Sequence, residues 1–181
     1  MLKKIATLAA ALVAVLAISA TTASAVVPGL EIAQIGYNAY GADAAANRNS
    51  EYVDIKNAGP GAVDVSGLLV QDAWARGNNR TERCNTFKLA AGALPIAPGA
   101  DANMLPAGAT LRVHMGSGTA SVRGTLHRVY RDMPTQCGYN GHVLNNGASS
   151  NKFAPWDTVW ITLGGVSESK GYNFSFGYVA K

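Results

Sequence analysis

The chain has 181 residues and carries 15 Lys and Arg against 11 Asp and Glu, for a formal charge of +4. The length is that of one ordinary domain with a real core. The charge excess is too small to argue for nucleic-acid binding.

The chain begins Met1-Leu2-Lys3-Lys4, continues with an uncharged apolar run from Ile5 to Ile18, and reaches Ala23-Ser24-Ala25. A basic start, an apolar stretch and an A-x-A site in that order read as an export signal over residues 1–25. The run is shorter than the about 20 residues that span a bilayer. A secreted, extracellular product of residues 26–181 is expected, with no stable membrane insertion. Lys3 and Lys4 leave with the signal and no acid goes with them, so the +4 of the whole chain falls to +2.

The mature sequence shows no 3.6-residue apolar period. It alternates instead, and alternation marks half-buried antiparallel strands. Residues 30–37 are the first strand candidate. Asp43, Asn47, Asn49 and Glu51 then form an oxygen-rich stretch, read either as a calcium loop or as a solvated turn. In 51–57, Val53 and Ile55 take one face while Tyr52, Asp54 and Lys56 take the other. The turn 57–61 and a strand at 67–72 follow.

Residues 73–84 are polar and read as a long loop. This loop holds Trp74, Arg76, Arg80 and Arg83, an aromatic with arginines that could grip phosphate or a polysaccharide acid. After it come strand candidates at 86–89 and 110–115, where Leu111, Val113 and Met115 alternate with Arg112 and His114. Another lies at 126–130. Residues 131–155, rich in Asn, Gly and Ser, read as a second long loop. In 158–163, Trp160 alternates with Val159 and Ile161 and should face outward. Trp160 and Trp156 are therefore candidates for stacking on a sugar ring. Gly164-Gly165 is a turn, and Tyr172, Phe174, Phe176 and Tyr178 line one face of a last strand at 172–178.

Cys84 and Cys137 fall in, or at the end of, the two long loops, and no CxxC spacing occurs. Outside the cytoplasm a disulfide is the default. It would close a loop of more than fifty residues and contribute about 4 kcal/mol on the chain-entropy model. The histidines His114, His127 and His142 have no acid or histidine at a ligand-like or catalytic spacing. Gly116-Ser117-Gly118 is a turn between strands, not a nucleophile elbow. Asp132 and Asp157 carry no spacing that would pair them for glycoside hydrolysis. No metal, cofactor or catalytic residue is expected. Sequons stand at Asn79 and Asn173.

The fold class expected from the residues is all-β, an antiparallel β-sandwich or barrel in one domain. Asn49-Ser50-Glu51-Tyr52-Val53-Asp54-Ile55-Lys56-Asn57, followed by Val63-Asp64-Val65-Ser66-Gly67, resembles the signature of the lamin tail domain. Leu105-Pro106-Ala107-Gly108 through His114, then Met115-Gly116-Ser117-Gly118-Thr119, is similar to the family's later strand entry and turn. Asn145-Asn146 with Trp156-Asp157-Thr158-Val159 resembles a third element, interrupted by an insertion. Together these cover about residues 29–178. Leu68 stands where the family usually has Trp, and the cysteine-bearing loops are outside the pattern. The resemblance implies an immunoglobulin-like sandwich of the exported bacterial type.

The motif itself has structural work to do. Val53 and Ile55 point inward, Asn57 bonds the backbone of the turn at 59–61, and Asp64 caps the turn at Ser66-Gly67. The function expected is a secreted, non-catalytic module that recognises a cell-surface polymer or protein. The second expectation is a nucleic-acid or phosphate-binding accessory domain for extracellular nucleotide scavenging. The third is a small secreted hydrolase.

Overall fold

The computed structural model describes residues 27, 29–37, 45–73, 76, 86–131, 144, 156–173 and 179–180, and among these lie twelve strands and a 3-10 helix. In chain order they are β1 (Leu30–Gly36), the 3-10 helix (Ala45–Ser50), β2 (Tyr52–Asn57), β3 (Val63–Asp64), β4 (Leu69–Asp72) and β5 (Thr86–Lys88). Then follow β6 (Met104–Leu105), β7 (Thr110–His114), β8 (Ser121–Arg123), β9 (Leu126–Tyr130), β10 (Trp156–Leu163), β11 (Val166–Asn173) and β12 (Val179–Ala180). The protein is all-β, as the alternation requires.

A six-stranded sheet runs β12-β1-β2-β7-β9-β8, a four-stranded sheet runs β11-β10-β4-β5, and β3 pairs with β6. All pairings are antiparallel except β7 with β9, which is parallel. The inward residues of both large sheets join one buried apolar cluster. Ile32, Ile35, Val53, Ile55, Leu111, Val113 and Val129 come from the first, and Val70, Phe87, Val159, Ile161 and Tyr172 from the second. A bulge in β1 makes this possible. Ala33 falls between the partnered residues Ile32 and Gln34, so Leu30, Ile32, Ile35 and Tyr37 are all buried.

The edge of β1 is closed by side chains rather than by a strand. β12 pairs only with Ile35 and Gly36. Ahead of them the Ile32 N–H donates to Glu168 Oε1 at 3.0 Å, and Lys170 Nζ donates to the Ile32 carbonyl at 2.9 Å. Alternate residues of β11 thus do the work of a neighbouring strand and join the two sheets.

The turn chemistry follows the motif. Asn57 Oδ1 accepts from the Gly59 N–H and its Nδ2 donates to the carbonyls of Gly61 and Leu105. The Ser66 N–H donates to Asp64 Oδ1. Asn103, with φ at 61°, links three segments through Leu94, Ser66 and Ala90.

The aromatic alternation predicts a last strand at 172–178, but β11 starts directly after the Gly164-Gly165 turn and runs Val166–Asn173, forming a hairpin with β10. Ser167, Glu168, Ser169 and Lys170 look like loop in sequence; two of these polar residues are turned inward to hold β1. Of the four aromatics expected to share a face, Tyr172 is buried and stacks on Tyr37 at 4.9 Å, while 174–178 lie outside the described residues.

Candidate binding face on the six-stranded sheet

Strand pairing lines up the outward side chains of the six-stranded sheet in lateral rows. The first is Gly36–Tyr52–His114–Tyr130, each residue the register partner of the next. The second is Gln34–Asp54–Arg112–Arg128–Ser121. The third is Glu31–Lys56–Thr110–Leu126–Arg123. The bulge at Ala33 puts Glu31 and Gln34, three apart in sequence, into adjacent rows.

The aromatic row is tightly packed. His114 stacks on Tyr130, with ring centroids 4.9 Å apart and planes at 12°, and Tyr52 is tilted toward His114 at 6.0 Å. Two glycines make room for the rings. A Cβ on Gly36 would lie 2.5 Å from Tyr52 Cε1, and one on Gly118 would lie 2.4 Å from Tyr130 Cε1. Gln34 Nε2 donates to the Tyr52 hydroxyl. The Arg112 guanidinium lies 3.9 Å above the Tyr52 ring and makes two bonds of 2.7 Å to Asp54. The fork geometry suits a carboxylate and the planar cation suits the ring face.

The electrostatics of the face are lopsided. Asp54 neutralises Arg112, and exposed Lys56 faces Glu31 at 3.9 Å. Arg123 and Arg128 have no acidic partner among the described residues. His114 lies in this field. Burial first, and then the charges of Arg112 and Arg128, pull its pKa below the usual histidine value, against the bond of its Nδ1 with the Asn49 carbonyl. As Nδ1–H donates there, the neutral Nε2 is left buried with no partner among the described residues.

A second group of charges lies under the pole where β2 begins and β4 and β9 end. Arg48, Glu51, Asp72 and Arg131 are all buried. Burial lowers the Arg131 pKa to about 10, while Asp72 and Glu51 hold it up. Glu51 Oε2 accepts from the Leu144 N–H. At the same pole Asp157 accepts from the Thr158 N–H and the Tyr172 hydroxyl, and burial raises its pKa. These groups are enclosed and bonded to protein, so they anchor the strand ends from which residues 73–85 and 132–155 depart.

The residues singled out in the sequence are placed as follows. Arg76 is exposed, lies 4.2 Å over the Trp160 ring, and donates to the hydroxyls of Thr162 and Ser167. The two candidates Arg76 and Trp160 thus meet on the outer face of the four-stranded sheet and occupy each other. Trp74, Arg80, Arg83, Cys84, Cys137, His142, Asp43 and Asn79 lie outside the described residues, as do the side chains of Trp156 and Asn173. Asn49 Nδ2 donates to the Ser117 carbonyl, and Glu51 is turned inward, where its Oε2 accepts from the Leu144 N–H. His127 is buried against the Pro95 carbonyl. Among the described residues no cluster of His, Cys, Asp and Glu could hold a metal ion.

The arginine face was missed in the sequence, though a signal is there. Between Asp101 and Asp132 the chain carries four arginines and two histidines and no acid. The small net charge of the whole chain hides this local excess. Comparison with family models, with curated proteins and with solved structures finds no match.

Proposed function

We propose that this chain is a secreted, non-catalytic binding module that recognises an extracellular polymer with the outer face of its six-stranded sheet. The observation that carries the reading is the row Tyr52–His114–Tyr130 beside Arg112 and Arg128. The face adds nothing to the apolar core, yet it gathers three rings, one guanidinium held in fixed geometry and a second arginine beside it. Half-buried aromatic and arginine side chains are the residue types enriched where proteins bind.

The order β1-β2-β7 in one sheet and β5-β4-β10-β11 in the other supports the immunoglobulin-like sandwich and, with the motif residues, the lamin-tail reading. The hairpin β8–β9 is then an addition that widens the face beside β7. The export signal of residues 1–25 supports an extracellular setting, and with it a disulfide between Cys84 and Cys137. The nucleic-acid reading rested on Trp74 and the arginines of 76–83. It is the weaker alternative, since Arg76 is held by Trp160.

The test is an array of cell-surface glycans, wall polymers and nucleic acids, probed with protein recovered after expression of the full chain. The expected result is retention of at least one polymer, unaltered in mass, by the wild type and by Arg76→Ala, with loss in Tyr130→Ala. Binding that survives Tyr130→Ala but is lost in Arg76→Ala would move the site to the other sheet. Cleavage of a retained polymer would make the protein an enzyme.

A further inference from the structure

Arg112 and Arg128 are direct lateral partners on the parallel strands β7 and β9. Like charges placed opposite each other on a sheet repel and destabilise it. Only one of the two is compensated: Asp54 bonds the Nε and one terminal nitrogen of Arg112. The other terminal nitrogen of Arg112 and the whole of Arg128 have no acid among the described residues. Exposed Ser121 ends the row next to Arg128, and exposed Arg123 flanks it in the next row. Burial is the main cause of the lowered pKa of neighbouring His114, and the charges of Arg112 and Arg128 add to it.

We propose that the Arg112–Arg128 pair, with Ser121 and Arg123 beside it, is an anion site that binds the acidic groups of a polysaccharide. The inference rests on the binding face described above and names its ligand class. Two guanidiniums in adjacent strands can each offer parallel N–H donors to a carboxylate or sulfate. Asp54 and the Tyr52 ring hold Arg112 in place, so little order is lost on binding. Charge complementarity favours a polyanion, and the state of the rings selects among polyanions. Nucleic-acid strands are gripped by bases stacking on open ring faces. Here Tyr52 packs against Gly36 and Arg112, and His114 and Tyr130 pack on each other and on Gly118. The face thus presents donors and hydroxyls and no open stacking platform, which suits sugar hydroxyls and acidic substituents.

The experiment measures binding of the full chain's product to polygalacturonate, dextran sulfate, neutral dextran and single-stranded DNA at two salt concentrations. Polygalacturonate or dextran sulfate is expected to bind, more weakly at higher salt, and neutral dextran is expected not to bind. Arg128→Ala should weaken binding about tenfold, the loss of one charge-assisted contact of about 1.4 kcal/mol. Arg128→Lys should fall between the two, because it keeps the charge and loses the fork. Both variants alter an outward side chain, and a melting temperature no lower than that of the wild type certifies their fold. The inference is overturned if neither acidic polysaccharide binds, if Arg128→Ala binds like the wild type, or if DNA binds as tightly as the acidic polysaccharides. An uncharged polymer retained through Tyr130 while the acidic ones are inert would defeat this inference and leave the binding face standing.

Discussion

Glu168 accepts a hydrogen bond from the backbone N–H of Ile32 at 3.0 Å, across 136 residues of chain. Two positions on, Lys170 donates to the carbonyl of the same residue. Both backbone groups of Ile32 on the open edge of β1 are therefore met by charged side chains of β11. A hydrogen bond to a charged group contributes about 1.5–3 kcal/mol. Glu168→Ala should destabilise the fold by about 2 kcal/mol, since it leaves the N–H at the sheet edge unmet. Glu168→Gln, which keeps an acceptor, should cost less. Urea midpoints at constant m-value measure both, and equal loss in the two variants would contradict the clamp.

The same pair explains what was legible in the sequence. Strands with apolar alternation, such as 30–37 and 126–130, lie within a residue of β1 and β9. The motif residues Asn57 and Asp64 make the turn bonds that their chemistry suggests. β11 was misplaced because Glu168 and Lys170 face inward, and a charged residue at an inward position hides the period that marks a strand. β3, β6, β8 and β12 have two or three residues each, too few to show alternation.

Arg112 and Asp54 form the ion pair on which the outer face is organised. Asp54 is buried, with 6% exposure, so removing its partner leaves a desolvated carboxylate. Arg112→Ala should cost about 3 kcal/mol, and Arg112→Lys somewhat less, because it keeps a charge for Asp54 while losing the bidentate fork. In a double-mutant cycle with Asp54→Ala the coupling should exceed about 1 kcal/mol. Additive losses would mean that the pair contributes nothing jointly.

His114 gives the fold a pH dependence of definite sign. Its folded pKa is depressed by burial and by Arg112 and Arg128, so below the unfolded value of about 6.5 the unfolded chain binds the extra proton. The stability linked to this group is fully present above about pH 6.5 and is lost as pH falls from there through the lowered folded value. Chemical denaturation between pH 7.5 and 5 should show a steeper loss for the wild type than for His114→Gln. Parallel curves would remove His114 as the source.

Gly36 is required by the ring of Tyr52. A methyl at Gly36 meets three ring atoms within 2.9 Å, so Gly36→Ala must move Tyr52 and disturb Arg112 above it. A cost of about 1–3 kcal/mol is expected, as for overpacking. In a Tyr52→Ala background the same change should cost much less. Equal cost in both backgrounds, by thermal or urea unfolding, would place the strain elsewhere.

The candidate site was less legible than the fold because it depends on lateral pairing. Arg112 and Arg128 are 16 positions apart in sequence and become neighbours through the parallel pairing of β7 with β9. Parallel pairing of two strands so close in sequence needs the β8 hairpin between them, and β8 has only three residues. Arg76 and Trp160 stood out as exposed-looking residues near a loop, and their contact shows that such prominence also marks residues that cover each other.

That the outer face of the six-stranded sheet takes acidic polysaccharides is tested by amide chemical-shift mapping on isotope-labelled protein, titrated with short oligomers of galacturonate and of sulfated dextran. Saturable shifts are expected at Ser121, Arg112, Arg128 and Tyr130, with Trp160 and Ser169 on the other sheet unmoved. Shifts centred on Trp160, or none anywhere at saturating oligomer, would contradict it.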